Sequence, residues 1–144
     1  MSIYRCVPMA DKMAIVVFSG SVDRLLGMSI LASSAAAMDW EVDIFLQLWG
    51  VYAFKKDVMK ENMNFSEFEE LKDAVVKRIQ ELNFPMWYDI LKQGKETGNI
   101  HIYACSTAAK AWNVTKDDLE MVDDLMEAGE FIEKVRDAKL SFFI

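Results

Sequence analysis

The chain has 144 residues, 53% of them hydrophobic and 27% charged, with a formal net charge of −7 and a pI near 4.7. That is the composition of one ordinary globular domain with a real core, not of a disordered segment. The Lys and Arg residues are scattered, and an acidic chain repels a phosphate backbone, so no nucleic-acid partner is expected.

The first element is KMAIVVFS, residues 12–19. It is continuous, apolar and rich in β-branched residues, which predicts a central parallel strand buried on both faces. A helix is expected to start at Gly20 or Ser21, with Asp23 in its first turn and Leu25, Met28, Leu31, Ala32 and Ala35 as its apolar stripe. WEVDIFLQLWGVYAF, residues 40–54, starts as a second strand. Val42, Ile44, Leu46 and Leu48 alternate there with Glu41, Asp43 and Gln47, and Gly50 is expected to end the strand. Residues 55–64 are polar and irregular.

Residues 66–84 read as an amphipathic helix, with Phe68, Leu71, Val75, Ile79 and Leu82 on one face and a capping box of Ser66 and Glu69. Pro85 opens another helix that Gly98 ends. NIHIYA, 99–104, is a third buried strand, and STAAKAWN a short helix with Asn113 placed for a left-handed exit. Residues 115–129 read two ways: Thr115 and Asp118 resemble a helix start, while MVDDLMEAG resembles a short edge strand. GEFIEKVRDA is a last helix and KLSFFI a final strand. Strand alternates with helix throughout, which predicts an α/β domain with a mainly parallel sheet and helices on both faces. No internal repeat or low-complexity linker divides it, so one domain is expected over 1–144.

The two cysteines, Cys6 and Cys105, are too far apart in sequence to form a disulfide framework, and neither has a second Cys or His at zinc spacing. No metal or cofactor is expected. The start MSIYRCVPMADK lacks the apolar core of a secretory signal, and GMSILASSAAAM is too short to span a bilayer. A cytoplasmic protein with reduced thiols and no membrane partner is expected.

In open α/β sheets, ligands meet the loops at the carboxyl ends of the strands. Three such loops stand out: FSGSVD, LWGVYAF and ACSTAA. Cys105 lies on the third, where strand becomes helix. Free N–H groups and the helix dipole favour a thiolate there, the dipole alone by roughly 0.3–1 kcal/mol. A small inert core cysteine is the competing reading. His101, the single histidine, lies roughly 13 Å up the strand, too far to be its base within one chain. The sequence Cys105-Ser106-Thr107-Ala108 lacks the second cysteine of a thioredoxin-like site. The arginine of phosphatase and rhodanese loops and the threonine of a peroxiredoxin site are also missing. A lone thiol suits transfer, accepting sulfur as a persulfide and passing it to another thiol.

The segments KMAIVVFSGSVDRLLGMSILASSAAAMDWEVDIFLQLWGVYAFKKD, IHIYACSTAAKAWNV and GEFIEKVRDAKLSFFI together resemble the DsrE/DsrF-like sulfur-relay family, in the branch often labelled peroxiredoxin-like. The resemblance implies a three-layer α/β/α sandwich with a mainly parallel sheet of about five strands. It also implies a homo-oligomer and a sulfur transferase or carrier that exchanges sulfur with small carrier proteins of the TusA type. Cys105 matches the sulfur-binding cysteine. Residues 1–11, which include Cys6, form an N-terminal extension with no counterpart.

Three other functions compete. Ser19, Gly20 and Ser21 offer a tight turn and donors at a helix start, as for a phosphate or nucleotide, without a full Gly-rich or Walker pattern. An oligomeric adaptor would use Trp49, Tyr52, Phe54, Trp87 and Tyr88. A thiol peroxidase would need Cys6 of a neighbouring subunit as resolving thiol. In the sulfur-transfer reading, Ser106 and Thr107 cap the helix and hydrogen-bond the sulfur, or cap it alone.

Overall fold

A computed structural model describes residues 9–144. Cys6 and most of the expected N-terminal extension lie outside the described residues. Five strands form one sheet: β1 (Lys12–Val17), β2 (Glu41–Leu46), β3 (Ile100–Cys105), β4 (Asp124–Met126) and β5 (Leu140–Phe143). Their order is β4-β3-β2-β1-β5, and every neighbouring pair is parallel. Ile15 on β1 pairs with Ile44 on β2, which pairs with Ile102 on β3, so the isoleucines form a row across the sheet centre. The chain steps from β1 outward to β4 and then returns to the far side of β1, which puts the topological switch point between β1 and β5.

Parallel neighbours need a crossover, and the crossovers supply the outer layers. One face is covered by α1 (Val22–Ala37) and α4 (Trp87–Lys95). Leu25, Met28, Ala32 and Ala35 of α1 are buried as the stripe predicts, whereas Leu31 faces out. The two helices approach closely at Gly94, where an added Cβ would stand 2.5 Å from Ser33 Oγ. The Ser33 hydroxyl donates to the Ile90 carbonyl at 2.9 Å across the same contact. The opposite face carries a smaller cluster of Ala14, Phe45, Met126 and Phe131. Phe131 belongs to α6 (Ala128–Lys134) and stacks on Phe45 with ring centroids 4.6 Å apart. This is the three-layer α/β/α sandwich with a five-stranded parallel sheet. Each fully buried Ile, Leu or Phe contributes about 1.5–3 kcal/mol of transfer free energy to it.

Two segments differ from expectation. β2 stops at Leu46 rather than at Gly50, and the helix α2 (Leu48–Ala53) takes up the end of the expected strand and the loop after it. The apparent alternation is not a two-sided pattern, because Val42 to Leu46 are all buried. Gly50 does not end a strand; it lies inside α2 with the Val17 carbonyl occupying the space of a Cβ. The second difference is α3 (Lys72–Glu81), shorter than the helix expected over 66–84 and preceded by a 3₁₀ turn at Glu69–Leu71. Ser66 does not box with Glu69: its N–H and hydroxyl both donate to the Asp23 carboxylate. No residue of α3 is buried, and Phe68 and Leu82 are 67% and 60% exposed. Periodicity correctly marked an amphipathic helix, but the sheet faces are already taken by other elements.

The two readings of 115–129 are both realised in part. A capping box of Thr115 and Asp118 starts a 3₁₀ turn at Lys116–Asp118, and β4 follows as an edge strand. Gly98 and Asn113 both adopt left-handed backbone, with φ of 83° and 51°.

Because a Cβ at residue 50 would collide with backbone rather than a mobile side chain, Gly50→Ala is expected to destabilise the fold by roughly 1–3 kcal/mol. Urea unfolding measures this. A midpoint equal to the parent's would contradict the close approach of α2 to β1.

Candidate functional site

Along β3 the side chains alternate. Ile100, Ile102 and Ala104 enter the main core, while His101, Tyr103 and Cys105 are half-buried on the opposite face. Cys105 is a free thiol, the last residue of β3 and the N-cap of α5 (Ser106–Ala111). It pairs in register with Met126 of β4 and packs against the Phe45–Phe131 cluster. The sequence expectation of a cysteine on the carboxyl rim therefore matches the geometry.

Its neighbours are arranged differently from the expectation. No side chain caps α5. The Ser106 hydroxyl donates to Glu127 Oε1 at 2.6 Å, which ties the β3–α5 corner to the residue that begins α6. Thr107 is exposed. His101 lies 3.3 Å from Glu41 Oε2, at the other end of the strand from the thiol.

The same sheet face holds an unusual carboxylate. Asp43 on β2 is 2% exposed, lies beside His101 in register, and its Oδ1 has no hydrogen-bond partner. Burial pushes its carboxyl up from the ordinary value, against the pull of Lys134, Lys12 and His101, while Glu41 adds to the rise. Burial also pushes up the Tyr103 hydroxyl, whose ring has Lys134 Nζ 5.5 Å from its centroid.

A second feature of the rim is a cleft of about 840 Å³ on the loop after β1. Ser19, Gly20 and Ser21 line it together. The two serine hydroxyls are 2.9 Å apart, and the Ser21 N–H donates to Ser19 Oγ at 3.2 Å. Asn62 Nδ2 donates to the Gly20 carbonyl at 2.7 Å, anchoring the irregular 55–64 segment over the loop. Gly20 is required here, because a Cβ would stand 2.6 Å from the Trp49 carbonyl oxygen. Trp49 and Tyr52 of α2 form the opposite wall.

Read as a strand ending at Gly50 with LWGVYAF as a loop, the sequence does not place Trp49 and Tyr52 on one wall. The signal was the spacing Trp-Gly-Val-Tyr, which in a helix puts positions 49 and 52 on one face. Trp112, just past α5, braces both rings, with centroids 5.2 Å from Trp49 and 4.7 Å from Tyr52. Its Nε1 donates to the Leu48 carbonyl at 2.7 Å. The wall of the cleft thus rests on the helix that begins beside Cys105. Of the other aromatics an adaptor would use, Phe54 and Trp87 are buried in the core. Among the described residues, no group of three His, Cys, Asp or Glu is placed to hold a metal, and no helix is long and apolar enough to cross a membrane.

Comparison with known proteins places the N-terminal part of the chain, through the loops after β1 and β2, in a family. Residues 9–85 match the DsrE/DsrF/DrsH-like family. The uncharacterized protein YrkE of Bacillus subtilis is 44% identical over 46 residues, which span 32% of this chain and 29% of that protein. The ychN protein of E. coli has the same fold with a TM-score of 0.57 at 15% identity, covering 94% of this chain and all of that one. MTH1491 of Methanobacterium thermoautotrophicum, of unknown function, gives 0.55 at 14% identity, covering 92% and 96%.

The buried carboxyl of Asp43 makes a pH prediction. A raised folded-state value means that the neutral acid suits the fold and the carboxylate costs stability. The cost is absent below the unfolded value of 3.8 and grows as pH rises through the folded value. Asp43→Asn is therefore expected to raise the urea midpoint at pH 7, with the gap closing toward pH 4. A gap that is absent at pH 7, or reversed there, would contradict it.

Proposed function

The chain belongs to the DsrE/DsrF/DrsH-like family, and from that membership we propose that it is a sulfur carrier or transferase that binds sulfur as a persulfide on Cys105. The single observation that carries the reading is the position of Cys105: a free, half-exposed thiol that ends a central strand at the carboxyl rim and starts a helix. In the transfer, the Cys105 thiolate attacks the outer sulfur of a donor persulfide. The donor S–S bond breaks, its inner sulfur leaves as a thiolate with the electron pair, and a new persulfide stands on Cys105. An acceptor thiolate then attacks that outer sulfur and releases Cys105 as thiolate. The sulfur moves at unchanged oxidation state, so no external oxidant is needed.

Glu127, through Ser106, holds the corner that carries the thiol. In this reading it is a positioning residue, and Ser106 serves the loop rather than the sulfur. The exchange partners are small thiol carrier proteins of the TusA type, and the working form is a homo-oligomer in the cytoplasm. A second reading is favoured by the cleft beside Ser19, Gly20 and Ser21, whose size and mixed lining suit a small ligand.

Incubation with a glutathione persulfide donor, followed by intact mass, tests the sulfur reading. The protein is expected to gain one sulfur atom, which dithiothreitol removes, and Cys105→Ala is expected to gain none. Equal loading of the variant, through Cys6, would defeat the assignment.

A further inference from the structure

The groups around the cleft select a ligand chemistry. The following rests on the cleft being a small-ligand site and not on sulfur transfer at Cys105. A phosphate would be expected at the start of α1, where free N–H groups gather. The protein's own groups occupy that position. The Val22 N–H donates to the Asn64 carbonyl at 2.8 Å, and the Ser21 N–H to Ser19 Oγ. The Asp23 carboxylate is in the first turn, held there by Ser66. An incoming phosphate would meet a fixed carboxylate and donors already in use.

The wider charge pattern has the same sign. Asp57 and Glu61 line the cleft, and among the described residues Arg24 is the single basic residue that does. Arg24 faces Glu67 at 3.7 Å, and Asp57 faces Lys55 at 3.6 Å. Glu61 has no ion-pair partner among the described residues. Lys56 and Lys60 line a separate cleft of about 140 Å³. Counting Asp23, Asp57, Glu61 and Glu67 against Arg24 and Lys55, the surroundings carry a net charge of two negative units.

The wall is equally selective. Trp49 is 50% exposed although it lines a concave surface, so an indole face is available to a ligand. An indole face and a carboxylate that line the same cleft, the carboxylate without an ion-pair partner among the described residues, attract cations through the ring quadrupole and through charge. Lys55 already uses the neighbouring Tyr52 ring in this way, with Nζ 5.2 Å from its centroid.

We propose that the cleft binds a small organic cation of the quaternary or aromatic ammonium class, seated on Trp49 with Glu61 supplying the counter-charge, and that it discriminates against phosphates and nucleotides.

Titration of the full chain with benzyltrimethylammonium, followed by two-dimensional NMR, tests this. Adenosine monophosphate and inorganic phosphate are the competing probes. Saturable shifts at the Trp49 indole N–H and the Gly20 amide are expected with the cation, and none with the two anions. Glu61→Gln is expected to weaken the cation about fivefold, the loss of one exposed ion pair. Trp49→Ala is expected to abolish saturation, while Trp49→Phe, which keeps an aromatic face, retains it. Cys105→Ala is expected to bind as the parent does. Tighter binding of either anion would overturn the cation assignment and leave the small-ligand reading standing. Absence of saturable shifts with all three probes would overturn both.

Discussion

The Val17 and Trp49 carbonyl oxygens each occupy the space where a side chain would stand on a glycine of the facing segment. Gly50 lies over Val17, and Gly20 lies over Trp49. The two segments are also hydrogen-bonded backbone to backbone, Gln47 N–H to the Val17 carbonyl at 2.9 Å and Gly50 N–H to the Phe18 carbonyl at 3.1 Å. This seam decides where α2 can go. With a side chain at either glycine, α2 would stand off the sheet by the width of a methyl group. The cleft, its aromatic wall and the brace from Trp112 all depend on that contact.

The rim therefore has two parts built by different means. The thiol is placed by sheet register: the alternation of β3 puts Cys105 on the α6 face, opposite Met126. The cleft is placed by loop packing, with Asn62 and Asn64 from the 55–64 segment clamping the loop after β1. They meet in α5, which starts beside the thiol and ends beside the ring that supports Trp49 and Tyr52. A chain of packed groups thus joins the two, and a double-mutant cycle is the measure of any coupling between them.

The Asp43 carboxyl and the exposed face of α3 are both departures from the rule that apolar groups go inside and polar groups out. Asp43 sits with one oxygen unpartnered beneath α6. Phe68, Leu71, Val75 and Leu82 sit outside. The first leaves a buried carboxyl oxygen without a partner, and the second leaves apolar area in water.

Much of the fold was legible in the residues themselves. KMAIVV and NIHIYA are apolar, rich in β-branched residues and bounded by turn residues, so the parallel sheet and the cysteine at its rim followed from pattern. The helix over Leu48–Ala53 did not, because LWGVYA continues the apolar run of β2 without a turn signal between them and is too short for a helical period to show. The same limit hid the aromatic wall. The partner of Ser66 was also hidden, since a capping box and a bond to Asp23 on a distant element use the same hydroxyl. Local chemistry determined which segments are strands, where left-handed exits occur and which thiol reaches the rim. The tertiary structure alone decided which glycines are close contacts, which aromatics face a cleft and which amphipathic helix finds no sheet to cover. Those depend on distances between segments far apart in the chain, and no local pattern encodes them.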